Sequence, residues 1–167
     1  GYGDGDEATT VSYGTNASNK YITTYFRKAI SVPDISQFTG YTLSLKRDDG
    51  AVVYLNGTEI FRTNMPTGTI SYTTRATAAA SDDGNTAQVK TLTTSQIIQG
   101  TNTIAVEIHQ NVNTSSDCSF DLELKATTTG GGGGGTTAHR IRIRPARGPG
   151  PGGGLSGRPA TQPPDDA

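Results

Sequence analysis

A chain of 167 residues is long enough for one ordinary domain, and its formal net charge of −1 offers no basic surplus for nucleic acid. The single cysteine, Cys118, excludes an internal disulfide and any multi-cysteine metal site. No apolar run approaches the roughly 18 residues of a membrane span, so neither nucleic acid nor a membrane is expected as a partner.

Composition divides the chain near residue 129. The remainder holds an unbroken run from Gly130 to Gly135, then 136–139, the run Arg140-Ile141-Arg142-Ile143-Arg144, and Pro/Gly-rich sequence to Ala167. It carries 12 of the 22 Gly and 6 of the 8 Pro. With almost no large apolar residue it cannot offset the entropy of ordering itself, so residues 130–167 read as a disordered linker or tail. Residues 1–129 carry 9 Lys+Arg against 13 Asp+Glu, a net of −4, and the tail carries +3. An acidic body argues further against a nucleic-acid partner. The opening Gly1-Tyr2-Gly3-Asp4-Gly5-Asp6 reads as a mature or excised domain, and no secretion signal precedes it.

Taken in chain order, the body reads as short strands between polar turns. Residues 21–28, Tyr-Ile-Thr-Thr-Tyr-Phe-Arg-Lys, are β-branched and aromatic. Residues 41–46 alternate Tyr41, Leu43 and Leu45 with Thr42, Ser44 and Lys46. Residues 51–55 and 58–63 flank Asn56-Gly57, a pair that tolerates the positive φ values of a type I′ hairpin turn. Residues 70–74 and 88–92 are weaker strand candidates, and 94–99 has room for a single helical turn. Residues 102–109 place Ile104, Val106 and Ile108 inward and Glu107 and His109 outward. Residues 119–126 do the same with Phe120, Leu122 and Leu124. About eight such strands, with no fixed-period repeat, indicate an all-β fold: an antiparallel β-sandwich or jelly roll over residues 1–129.

Catalytic signatures are missing. There is no G-x-S-x-G, H-E-x-x-H, P-loop or Rossmann fingerprint. Glu107 and His109 share a strand face and are the one candidate acid–base pair, although two polar residues at that spacing are what any solvated sheet face carries. Cys118, between Asp117 and Ser119, reads as a small buried residue. Hard cations want clustered oxygen ligands, and three loops offer carboxylates beside glycine: Asp4 and Asp6, Asp48 and Asp49, and Asp82 and Asp83. Asp4, Asp6 and Asp48 are the candidate calcium ligands, against the plainer reading of Asp side chains capping their own turns. Sugar recognition is the third chemistry, with aromatic rings stacking on C–H faces and polar groups taking hydroxyls. Tyr21 and Tyr25 would lie about 13 Å apart on one strand face at ~3.3 Å per residue, the reach of a short oligosaccharide. Tyr2, Tyr13 and Tyr72 occupy loop-like contexts where an exposed ring would be available, and Tyr54 faces away from Val53 and Leu55, toward either a second packed layer or an open face.

The ordered set of motifs resembles a known family. It comprises residues 1–7, 20–28, 47–57 (Arg-Asp-Asp-Gly-Ala-Val-Val-Tyr-Leu-Asn-Gly), Asn64-Met65-Pro66, 105–110 (Ala-Val-Glu-Ile-His-Gln), Ser115-Ser116-Asp117 and 120–124. Together these look like the galactose-binding-like β-sandwich accessory domains of large secreted bacterial proteins. The resemblance covers residues 1 to about 126. It implies a jelly roll, a non-catalytic role, an extracellular setting, and a carbohydrate-binding module joined to a glycoside hydrolase; many such sandwiches carry a structural calcium. The expected ligand is plant polysaccharide, with β-glucan leading, held by Tyr21, Tyr25 and Tyr54 with Arg47, Asp49, Glu107 and His109, and a monomer is expected. Two other readings stand beside it: a structural or adhesion domain without sugar binding, and a hydrolase built on Glu107 and His109.

Overall fold

A computed structural model of the chain describes residues 1–5, 7–128 and, as a strand, 139–143. Eight strands are present among them: β1 (Thr23–Val32), β2 (Phe38–Arg47), β3 (Gly50–Leu55), β4 (Thr58–Thr63), β5 (Gln88–Leu92), β6 (Gly100–His109), β7 (Phe120–Thr128) and β8 (His139–Ile143). They form two four-stranded sheets, ordered β1-β6-β3-β4 and β5-β2-β7-β8, and every pairing is antiparallel. No described helix is long and apolar enough to cross a membrane.

Alternation explains why these segments pack as a sandwich. Phe26, Ile30, Val32, Ala51, Val53, Leu55, Ile104, Val106 and Ile108 face inward from the first sheet. Tyr41, Leu43, Leu45, Leu92, Leu122, Leu124 and Ala126 meet them from the second. Each large aliphatic side chain so buried contributes about 1.5–3 kcal/mol relative to exposure. One polar residue joins this inward row. Asn102 is 0% exposed and fully engaged: its amide donates to Ile98 O (2.7 Å), and its oxygen accepts from Ile98 N (2.9 Å) and Asn56 Nδ2 (2.9 Å). That network ties the hairpin turn to β6. The turn has the expected form, with φ of 52° at Asn56 and 82° at Gly57.

Four sequence expectations need correction. Residues 70–74 are not a strand, because the hydroxyls of Ser71, Thr73 and Thr74 bond one another and the local backbone, closing a turn instead. Tyr21 precedes β1, which starts at Thr23 and runs on to Val32 by pairing with β6 as far as Gly100. Tyr2 is buried, its backbone bridged to Cys118. Finally, the segment after residue 129 is not wholly without structure. Its alternating Arg-Ile run forms β8, with Ile141 opposite Leu124 and Ile143 opposite Leu122. The rest of the expected tail lies outside the described residues.

Candidate functional site

The outer face of the first sheet carries a row formed by Tyr25, Glu107, Val52 and Arg62 on four successive strands. The next row is Arg27, Ala105, Tyr54 and Glu59. Tyr25 is 57% exposed and Tyr54 half-buried. Their strands lie two spacings apart, about 10 Å across the sheet, and their rows are offset by two residues. Glu107 stands between them. Burial first, then its charge, pushes both phenols above their ordinary range, and Tyr72 adds to the effect on Tyr25. Arg62 is pinned by a two-pronged pair with Glu59 (2.7 and 2.8 Å) and by donation to Pro66 O and Gly68 O. At the β1 edge, Tyr21, Tyr25 and Tyr72 line a shallow cleft together with Val11, Ser12 and Thr23. Three half-exposed rings around one cleft, beside a carboxylate, suit C–H faces and paired hydroxyls.

His109 lies on the same side of β6, yet it is 0% exposed. The Ser71–Thr74 turn roofs it. Its Nδ1 is 2.7 Å from Thr74 O and 2.9 Å from Thr23 Oγ1, and its Nε2 is 3.1 Å from Glu107 Oε2. The one pair that the sequence offers as a candidate acid–base couple thus anchors a loop to the sheet, with no imidazole surface left for a substrate.

Acidic loops converge at one end of the sandwich. Asp4, Asp83 and Asp117 place one carboxylate oxygen each within 4.8 Å of one another. Asp48 sits behind Asp117, 3% exposed, with Asp49 and Asp117 as its side-chain neighbours. Burial, then the charges of Asp49 and Asp117, push its carboxyl up to about 8. Asp117 likewise pushes the Asp83 carboxyl up. The close packing is built in. A β-carbon on Gly3 would lie 2.6 Å from Asp117 Cα, and one on Gly84 would lie 3.3 Å from Asp48 Cβ. Ser119 Oγ donates to Asp4, and Glu7 accepts from Asp4 N and Gly5 N, shaping the first loop. An all-oxygen, carboxylate-rich donor set with a buried, like-charged member fits a hard divalent cation.

The predicted site residues therefore separate into three places. Tyr25, Tyr54 and Glu107 share the open face, Tyr21 borders its cleft, and His109 lies under the roof. Arg47 and Asp49 are buried away from the open face, next to the acidic end: Arg47 Nη1 donates to Asp82 at 3.1 Å, while Asp49 accepts from Ala80 N and Asn111 N, both at 2.8 Å. Asp4 and Asp48 belong to the acidic end, and Asp6 lies outside the described residues. Arg62 and Glu59 are not among the sequence candidates, though their i, i+3 spacing is visible there. Asp117 is not among the predicted ligands either, because nothing local marks it as a neighbour of Asp4 and Asp83.

No protein-family model matches the sequence, and no curated protein matches it. Solved structures do share its fold. An α-L-rhamnosidase from Streptomyces avermitilis, complexed with L-rhamnose, superposes with a TM-score of 0.55 at 21% identity, covering 81% of this chain and 11% of its own. A lectin from Pleurotus ostreatus in complex with GalNAc gives 0.50 at 18% identity, covering 75% of this chain and 29% of its own. An α-L-rhamnosidase from Dictyoglumus thermophilum gives 0.50 at 15% identity, covering 74% and 12%. This chain thus spans between 11% and 29% of these proteins, and the likeness is one of fold.

Proposed function

We propose that this chain is a non-catalytic carbohydrate-binding domain. The observation that carries the reading is the open face of the first sheet, where exposed Tyr25 and half-buried Tyr54 and Glu107 lie beside the cleft of Tyr21 and Tyr72. A sugar ring stacks on a tyrosine while the Glu107 carboxylate accepts from neighbouring hydroxyls. The partner is a polysaccharide, with plant β-glucan as the leading ligand, and the domain works as a monomer that holds an attached secreted bacterial glycoside hydrolase on its substrate. Two supports come from the comparisons: one neighbour of the same fold is a lectin seen with GalNAc, and another is a small part of a rhamnosidase seen with L-rhamnose.

A second element of the reading is a structural calcium held by Asp4, Asp83 and Asp117, with Asp48 behind them. It would neutralise the acidic end and join the first loop to those before β3, β5 and β7.

Affinity gel electrophoresis of the full chain tests the reading, using gels cast with β-glucans, xyloglucan, xylan, mannan, or rhamnose- or GalNAc-bearing glycans. Retardation by at least one polysaccharide, lost in Tyr25→Ala, is the expected result. Free migration in every gel would overturn it and favour a spacer or adhesion domain.

A further inference from the structure

The turn that carries Tyr72 is fastened to the sheet at two points, and both involve residues with no other evident task. Thr23 Oγ1 donates to Tyr72 O at 2.6 Å. His109 Nδ1 lies 2.7 Å from Thr74 O. A carbonyl oxygen can only accept, so Nδ1 carries a hydrogen. The hydroxyl hydrogen of Thr23 is spent on Tyr72 O, which leaves a lone pair facing the same Nδ1–H. On the other side of the ring, Nε2 faces a carboxylate oxygen of Glu107 at 3.1 Å. With Nδ1–H committed, that contact is attractive only when one further proton lies between Nε2 and Oε2.

We infer that His109 and Thr23 are positioning residues of the tyrosine cleft: the proton shared by His109 and Glu107 keeps Nδ1–H on Thr74 O and so holds Tyr72 against Tyr21 and Tyr25. The value of the cleft as a sugar site rests on the binding function proposed above, but the locking of the turn does not. Removal of that proton leaves a neutral imidazole with one hydrogen. An ionised carboxylate draws that hydrogen to Nε2, because the charge-assisted bond is the stronger one. Nδ1 then presents a lone pair to Thr74 O, and the turn loses one of its two fastenings.

The charged surroundings leave this exchange to the pair. From β1 the neighbours are Thr23 and, opposite Glu107, Tyr25. From β3 they are Gly50 and Val52, neither of them ionisable. Asp49, next to Gly50, is spent on Ala80 N and Asn111 N. On the outer face Tyr54 and Arg62 lie near enough to feel the Glu107 charge. From the roof, Arg75 turns away to Asn111 O.

Solution NMR of the ¹⁵N-labelled full chain, without ligand, tests the inference between pH 5 and 9. The locked turn is expected wherever both ring nitrogens of His109 carry a proton. On loss of the second proton, the amide signals of Tyr72 and Thr74 should shift in step with the ring, and their hydrogen exchange should quicken. In Glu107→Gln the side-chain amide can donate to a neutral Nε2, so the turn should stay locked and become indifferent to pH. A merely structural histidine would not produce that change of profile. Turn amides that ignore the His109 titration, or a lone hydrogen already on Nε2 at pH 5, would overturn the proposal. Thr23→Val removes the other fastening and should quicken exchange at Tyr72 at every pH. Where a retarding glycan has been found, its affinity should fall roughly 3- to 10-fold as the shared proton leaves, the worth of one hydrogen bond. Absence of any retarding glycan would sink the binding function, while the exchange behaviour of the turn would still decide the locking.

Discussion

Asp48 makes the acidic end a quantitative test of the electrostatic argument. Its carboxyl is buried beside Asp49 and Asp117 and is pushed up to about 8 in the folded chain, against roughly 3.9 in an unfolded one. Between those values the folded state keeps a proton that the unfolded state has released. Stability must therefore fall as pH rises, by up to about 1.4 kcal/mol per pH unit for one proton. From pH 5 to pH 7 in the presence of a chelator, the loss is on the order of 3 kcal/mol. Carboxylates held low by hydrogen bonds, such as Asp34 and Glu59, act in the opposite sense but finish titrating below this window. Urea unfolding at half-unit pH steps measures the slope, and the Asp48→Asn variant cancels by difference the titrations of groups that do not interact with Asp48. The wild type in chelator should show the slope and the variant should lack most of it. Added calcium should replace the proton as counter-charge, flatten the wild-type slope and raise stability by about 2.7 kcal/mol at a hundredfold excess over Kd. A wild type with the same slope as the variant would refute the account of Asp48. A melting temperature indifferent to both chelator and calcium would remove the cation.

Other outcomes follow from single side chains. Tyr25→Ala removes the most exposed ring of the open face and should weaken glycan retardation about tenfold or more, with the urea midpoint nearly unchanged. Asn102→Ala deletes four bonds and strands the Ile98 backbone, for a cost of roughly 2–4 kcal/mol by urea unfolding. Leu45→Ala, at 0% exposure between the sheets, should cost about 2–5 kcal/mol in the same assay. Cys118 is 1% exposed, and burial pushes its thiol up to about 12, so labelling by a thiol reagent at pH 8 should wait on unfolding. Rapid labelling of the native chain would contradict the packing of Tyr2 over Cys118.

The strands are legible in the sequence where one face is buried, because period-two alternation is a local property. Residues 41–46, 102–109 and 119–126 appear in the sheets with the predicted faces inward. The hairpin at Asn56-Gly57 is legible for a different reason: its chemistry sits in two adjacent residues. The functional layer is harder, since it depends on what lies over the outer face. His109 has the right parity for solvent, and only the turn from Ser71 to Thr74, whose composition resembles a strand, explains its burial. Arg47 and Asp49 look available because an isolated Arg-Asp-Asp triplet gives no hint of Asp82, Ala80 or Asn111. Asp4 is a metal candidate on loop chemistry alone. Its company with Asp83 and Asp117 comes from chain segments 79 and 113 residues away, which no local pattern encodes. The strand β8 is hidden because glycine and proline dominate its surroundings and obscure the alternation of Ile141 and Ile143.

The segment between β4 and β5 has a consequence for how this domain tolerates change in length. At one end Asn64 donates to Asp49 O and Ala78 O, Thr77 N returns to Asn64 O, and Ala80 N is held by Asp49. In the middle, Thr23 and His109 hold the carbonyls of Tyr72 and Thr74, and Ala76 N reaches Gln110 O. Gly50 lies beneath, where a β-carbon would come within 2.6 Å of Met65 Sδ and 2.7 Å of Asn64 O. The segment is thus a span of fixed length between abutments, one beside the acidic end and one over the tyrosine cleft. Residues added between Tyr72 and Ala80 would pull an anchor from its seat, and residues added between Pro66 and Gly68 would pull their carbonyls from Arg62, whereas the exposed bend just past Gly68, at Thr69, has slack to absorb them. Loop grafts meant to reshape the surface beside the open face therefore belong in that bend, where the anchors on both sides keep their register.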